Sequence, residues 1–275
     1  GVVEAARAYL GDRQVREAVF AVATPVGVDR IKFTNSPWAF SIEATRKALG
    51  LERLAVINDF TAQALAIPVL QEQERAQICE GAPVSGEPIA VIGPGTGLGV
   101  AGLMPVGDAW QPIPSEGGHV SMATHDDVEA AIATLLRRRV GHISNERVLS
   151  GPGLVNLATA LAELAGQQLE LRDPKEVSAR AEAATCPYCA EALERFSSLL
   201  GAAAGDLALM LCARGGVYIG GGLVKRLGAL FVVEKYRVAF VAKGRFEAYL
   251  AAIPSFLVTR QDPGLLGAAA LRLRP

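Results

Sequence analysis

Charge of either sign is not in excess: 27 Lys and Arg face 28 Asp and Glu across 275 residues. Neither nucleic acid nor a charged membrane surface is therefore favoured as a partner. Long apolar runs are missing as well, and no segment approaches the ~18 uninterrupted apolar residues of a membrane-spanning helix. The first residues carry Glu4 and Arg7 in a helix-like pattern, where a secretory leader has a basic start and an apolar centre. Cysteine is scarce, with four residues in all, too few for a disulfide framework. Only three histidines are present, and His125 and His142 lie in polar loop or helix-end contexts, which disfavours a metal centre. These absences predict a soluble protein of the reducing cytoplasm, without membrane or nucleic-acid partners.

What is present suits a large core. Hydrophobic residues make up 51% of the chain, and the length predicts about two domains. Residues 2–10 read as a helix and 18–24 as a buried strand. A loop at 34–38 precedes a helix capped by Ser41 and stopped by Gly50. The apolar run Leu54-Ala55-Val56-Ile57 then feeds a helix beginning near Phe60. Residues 71–88, polar and rich in Glu, Pro and Gly, read as a connection. A strand at 88–92 ends in a glycine-rich turn, 126–140 carries helical spacing, and 154–211 is mostly Ala-rich helix broken near Asp173-Pro174. Strands at 217–219 and 256–258 and a last helix after Asp262-Pro263-Gly264 complete the alternation, which predicts an α/β fold with parallel pairing.

Asp59 stands where the strand 54–57 meets its helix, and ligands of open α/β sheets bind outside the carboxyl ends of strands. A carboxylate there is placed to take a proton from a bound hydroxyl. The plainer reading is a helix N-cap. Gly93-Pro94-Gly95-Thr96-Gly97-Leu98-Gly99 follows a strand directly. Such glycines let backbone amides approach an anion, and the Thr96 hydroxyl can donate to phosphate. The run lacks the Gly-Lys-Ser/Thr ending of a Walker loop. It also continues as a strand instead of opening a helix, unlike a dinucleotide fingerprint; a tight hairpin is the alternative.

Ser115-Glu116-Gly117-Gly118-His119 offers a carboxylate and an imidazole suited to vicinal sugar hydroxyls, although a lone loop Glu is commonly just solvated. Glu146 precedes a Gly151-Pro152-Gly153 turn, where an ordinary first-turn acid is also favoured. Gly220, Gly221 and Gly222 follow a strand and leave room for a flat base and ribose; a tightly packed strand-to-helix turn is the rival. Cys186-Pro187-Tyr188-Cys189 has the spacing of a thiol redox motif, but its approach is helical where that chemistry needs a strand. Zinc would need four ligands, and Cys79 and Cys212 are distant in sequence.

The motifs FTNSPWAFS (33–41), INDFTA (57–62), GTGLGVA (95–101), EGGH (116–119), ERVLSGPGL (146–154), GGVYIGGG (215–222), KGRF (243–246) and DPGLLG (262–267) together resemble the non-ROK bacterial glucokinases from about residue 15 to Leu273. The ROK branch's zinc-binding cysteine cluster is absent. The resemblance implies a two-domain actin/hexokinase-like, ribonuclease H-like α/β fold with an interdomain cleft, the smaller domain at 1–69 plus 260–275 and the larger at 70–259. It implies ATP-dependent phosphorylation of glucose to glucose 6-phosphate, the first step of glycolysis, with Mg²⁺ on the nucleotide. It assigns Asp59 as the base for the 6-hydroxyl, and Asn58, Glu116, His119 and Glu146 to glucose. Gly95, Thr96 and Gly97 fall to the phosphates, and Gly220, Gly221 and Gly222 to the adenosine side. Glucose and ATP are the implied partners, and proteins resembling this one are usually homodimers. A sugar-binding regulator is the rival class, against which no helix-turn-helix or basic patch is seen.

One departure stands out. The family opens with a strand and an Asp-x-Gly-Gly-Thr-Asn turn, its first phosphate loop, and no such run occurs among these residues. The expectation is that the loop lies upstream, and that this polypeptide by itself binds ATP poorly and phosphorylates slowly or not at all.

Overall fold

The computed structural model describes residues 1–33 and 36–271. Thr34 and Asn35 of the predicted loop, and the end of the resemblance at Arg272 and Leu273, lie outside the described residues. The chain divides into two compact units, Gly1–Gln71 with the segment from Arg260, and Glu72–Thr259.

The first unit opens with α1 (Val2–Leu10) and β1 (Glu17–Val22). Two short strands, β2 (Arg30–Lys32) and β3 (Ala39–Ser41), pair antiparallel with Ile31 opposite Phe40. Ser41 caps α2 (Ile42–Ala48), its hydroxyl accepting the Ala44 N–H at 3.0 Å. Gly50 then turns the chain at φ 68°, a conformation glycine adopts without strain. β4 (Arg53–Asn58) lies parallel to β1, with Val22 opposite Asn58. α3 (Asp59–Ala66) follows it immediately. Val22, Ile31 and Val56 form the small core, with Phe20, Phe33, Phe40 and Leu54 packed around them.

The second unit is built on a six-stranded mixed sheet. It contains β5 (Arg75–Cys79), β6 (Ile89–Pro94), β7 (Leu98–Val106) and β8 (Ala109–Ser115), then α4 (Asp127–Val140), α5 (Gly151–Leu164), α6 (Pro174–Glu182) and α7 (Pro187–Leu211). After these come β9 (Val217–Ile219), α8 (Leu223–Leu227), α9 (Val233–Val241), α10 (Glu247–Ala251) and β10 (Ser255–Val258). The strand order is β5-β10-β9-β6-β7-β8. β6, β9 and β10 run parallel, while β5, β7 and β8 are antiparallel to their neighbours. Every residue of β6 is buried, which is why its sequence is an unbroken apolar run. α7, with 25 residues, carries Phe196 and Leu200 into the core. Gly201 lets it approach α9 so closely that a methyl there would overlap the Tyr236 carbonyl oxygen. Beside it the Tyr236 hydroxyl, fully buried, donates to Ser255 Oγ at 3.1 Å.

The last helix, α11 (Pro263–Ala270), belongs to the first unit. Gly267 seats it against α3, where an added methyl would overlap the Ala62 carbonyl oxygen. The first and last segments of the chain thus form one body.

The reading of 71–88 as a plain connection is corrected. Arg75–Cys79 is an edge strand antiparallel to β10. Its anchor is the Arg75 guanidinium, 4.9 Å from the centroid of the Phe256 ring and bonded to the Tyr218 hydroxyl at 2.9 Å. A strand that packs through a cation on aromatic faces shows no apolar alternation. Among the described residues no helix is long and apolar enough to cross a membrane.

Candidate functional site

In the first unit the predicted pair sits at the β4–α3 junction. Asn58, not Asp59, is the N-cap: its Oδ1 accepts the N–H groups of Phe60 at 2.8 Å and Thr61 at 3.2 Å. Asp59 is the first residue of the helix, and its Oδ1 accepts the Phe60 N–H at 3.0 Å. Burial raises the Asp59 carboxyl above its ordinary value, outweighing the Phe60 N–H and the Asn58 side chain, which pull it down. The capping reading of Asp59 is therefore corrected. A neutral neighbour satisfies the helix, and the half-buried carboxylate is left with proton affinity to use.

In the second unit the remaining candidates gather around the β6–β7 hairpin. Pro94 pairs with Leu98, and Gly95, Thr96 and Gly97 form the turn, closed by the Gly95 N–H donating to the Gly97 carbonyl at 2.8 Å. The hairpin alternative of the glycine run is real, yet Thr96 stays exposed at its tip. Glu146 Oε2 accepts the Leu98 N–H at 3.0 Å. On the other side of Leu98, Gly118 packs so tightly that a methyl there would overlap the Leu98 carbonyl oxygen. Gly118 lies in the short 3-10 turn Gly117–His119, preceded by Glu116. Glu116 and His119 are exposed, with Oε2 and Nε2 4.0 Å apart. The turn is steadied from behind, since His142 Nε2 donates to the His119 carbonyl at 3.1 Å and the Asn145 N–H donates to Val120 at 2.9 Å.

The second glycine cluster meets the same hairpin. The Gly220 N–H donates to the Ile92 carbonyl at 2.9 Å. Gly221, at φ 71°, lies where a side chain would stand 2.5 Å from the Pro94 carbonyl oxygen. Within this unit, then, both glycine runs, Glu146 and the Glu116–His119 turn adjoin the ends of β6 and β7. Asn58 and Asp59 belong to the other unit.

Sequence reasoning missed Ser150. Its buried hydroxyl accepts the Gly153 N–H at 3.0 Å as the cap of α5 and donates to the Glu146 carbonyl at 2.8 Å. Next to it the Gly151 N–H donates to the Gly95 carbonyl at 2.8 Å. A serine just before Gly-Pro-Gly is a helix-start signal, so the cap was readable, although its second bond was not. A cavity of about 660 Å³ lies among β7, β8 and α7, walled by residues such as Val100, Ile113, Leu207 and Met210. Its lining includes Gly117 and Asn145 but not Glu116, His119 or Glu146.

The thiols of the Cys-x-x-Cys run are both buried. Burial and the neighbouring Cys186 push the Cys189 thiol up to about 12, away from the thiolate that redox chemistry requires.

A family model described as Glucokinase matches residues 1–274. A glucokinase from Aromatoleum aromaticum is 51% identical over 273 residues, spanning 98% of this chain and 82% of that protein. Among solved structures, a glucokinase from an Antarctic psychrotroph superposes with a TM-score of 0.90 at 37% identity, covering 98% of this chain and 84% of the other. A ROK family glucokinase from Streptomyces griseus, solved with glucose and AMPPNP, gives 0.60 at 21% identity, covering 98% and 86%, and shares the fold.

Proposed function

This chain belongs to the glucokinase family and phosphorylates glucose, and on that premise we propose which residues do so. Asp59 takes the proton of the glucose 6-hydroxyl as that oxygen attacks the γ-phosphorus of ATP. One observation carries the assignment: Asn58 caps α3, leaving beside it a half-buried carboxylate with a raised proton affinity. A base lifted toward the working pH is the more effective proton acceptor.

Asn58, Glu116, His119 and Glu146 hold the sugar hydroxyls, the carboxylates accepting charge-assisted hydrogen bonds from them. The turn of Gly95, Thr96 and Gly97 takes the nucleotide phosphates on backbone N–H groups and the Thr96 hydroxyl. Gly220, Gly221 and Gly222 lie along the adenosine side, where backbone without side chains admits a flat base. Use of ATP is supported by the AMPPNP bound to the Streptomyces kinase of the same fold. Mg²⁺ carried by the triphosphate would neutralise phosphate charge. The protein's share is positioning, which dominates phosphoryl transfer. All four cysteines are free thiols, as suits the cytoplasm, and the working assembly is a homodimer, usual among proteins resembling this one.

The test is Asp59→Asn in steady-state kinetics and glucose titration. Turnover falls by ~10²–10⁴, while glucose affinity stays within a few-fold. Turnover close to that of the unaltered protein would remove Asp59 from the mechanism.

A further inference from the structure

The Glu146 carboxylate, assigned above to the sugar, is already engaged. Its Oε2 accepts the Leu98 N–H at 3.0 Å, on the residue that follows the Gly95-Thr96-Gly97 turn. It stands over Gly97 so closely that a methyl there would lie 2.5 Å from it.

The hairpin does not need this bond to keep its form. Pro94 pairs with Leu98 across the ladder, the Gly95 N–H donates to Gly97 at 2.8 Å, and the Gly151 N–H donates to Gly95 at 2.8 Å. The backbone carrying Glu146 is also fixed independently, because Ser150 donates to the Glu146 carbonyl at 2.8 Å while capping α5. With loop and backbone both held elsewhere, the carboxylate is best described as an anion resting on an amide of a preformed glycine loop. Clustered glycine-loop amides are the groups that hold phosphate oxygens.

We infer that Glu146 is a sugar-responsive plug of the phosphate hairpin. Without sugar, its carboxylate occupies the Leu98 N–H and sets a negative charge beside the loop, opposing the like-charged triphosphate. A sugar hydroxyl donating to that carboxylate competes with Leu98 for it, withdraws it, and frees the amide for a phosphate oxygen. The hairpin thus receives nucleotide best when the acceptor sugar is present, which selects glucose over water as phosphoryl acceptor. The inference rests on the reading of Glu146 as a sugar ligand and of residues 95–97 as the phosphate loop. Coupling of this kind is reciprocal, so nucleotide tightens glucose by the same factor as glucose tightens nucleotide.

The experiment is calorimetric titration of a non-hydrolysable ATP analogue with Mg²⁺ into the full chain, with and without saturating glucose, for the unaltered protein, Glu146→Gln and Glu146→Ala. In the unaltered protein glucose tightens the analogue about tenfold, the size of one charge-assisted hydrogen bond. Glu146→Ala binds the analogue without sugar about fivefold to tenfold more tightly than the unaltered protein, and glucose no longer changes that affinity. Glu146→Gln, which keeps the shape but not the charge, falls between them and carries the test if the alanine variant does not fold. A sugar-free affinity that is unchanged or weaker in both variants, with glucose affinity lost, overturns the plug alone. Unchanged glucose affinity in Glu146→Gln overturns the sugar-ligand reading and the plug with it. Analogue binding by the unaltered protein that saturating glucose leaves unchanged or weakens overturns the plug as well.

Discussion

Two helix starts, those of α3 and α5, solve one problem with opposite placements of the acid. A helix N-terminus leaves N–H groups without partners, and any nearby carboxylate is drawn to them. At α3 the cap is Asn58 and the acid, Asp59, follows it, so its carboxylate stays local, accepting the Phe60 N–H at 3.0 Å. At α5 the cap is Ser150 and the acid, Glu146, precedes it; its carboxylate reaches Leu98, 48 positions away in sequence. In each case a neutral side chain satisfies the helix and leaves the carboxylate for something else. What differs is the remainder: Asp59 keeps a raised proton affinity, whereas Glu146 is spent on a loop amide.

Removing the caps sharpens this most. Asn58→Ala strips the acceptor from two N–H groups and destabilises the fold by ~0.5–2 kcal/mol. It also has a chemical consequence, since Asp59 is the next acceptor in line and is drawn into the cap. Turnover at saturating glucose therefore falls by more than the stability loss accounts for. Ser150→Ala destabilises by a similar ~1 kcal/mol, yet leaves turnover much nearer the unaltered value, because no proton acceptor stands beside that cap. Urea unfolding read alongside kcat decides the matter. Equal losses of kcat in the two variants would break the distinction.

The sequence announced the position of the Asn58–Asp59 pair but not the division of labour within it. Both residues are good caps by composition, and only the folded chain distinguishes them, since it is Asn58 that turns back onto Phe60 and Thr61. The buried strands β6 and β9 were legible because burial on both faces leaves an unbroken apolar run. β5 was illegible for the complementary reason: its packing rests on Arg75 against Tyr218 and Phe256, partners far along the chain. The same holds for the site. Each glycine run and each acid was visible as a motif, while the Glu146–Leu98 bond and the fit of Gly221 against Pro94 are products of tertiary structure, which no local pattern encodes.

A smaller effect tests the electrostatic half of the comparison. Because burial raises the Asp59 carboxyl, the folded state holds that proton more tightly than the unfolded chain. The group's contribution to stability is then complete below the unfolded carboxylate value and is lost as pH rises through the raised folded one. At neutral pH the ionised carboxylate opposes folding. Asp59→Asn should accordingly raise the thermal midpoint at neutral pH, and the gain should vanish below about pH 4, where an ordinary carboxyl is also protonated. A difference in midpoint that is constant with pH would show that desolvation of the charge is not what distinguishes this position.

The start of α7 supplies the limiting case. Cys186 occupies the N-cap position and makes no side-chain cap bond, and the helix begins with Pro187, whose missing N–H leaves one donor fewer to satisfy. Cys186 and Cys189 are buried in the core cluster with Val177 and Leu193, so neither thiol at this start is left over for chemistry. Cys186→Ser should leave turnover within about twofold and stability within ~1 kcal/mol, a hydroxyl being a better cap than a thiol but a poorer core residue. Kinetics under reducing and mildly oxidising buffer check both sides at once. If Cys186→Ser lowered turnover, or removed a response to oxidant that the unaltered protein shows, this helix start would join the other two as a place where the cap governs function.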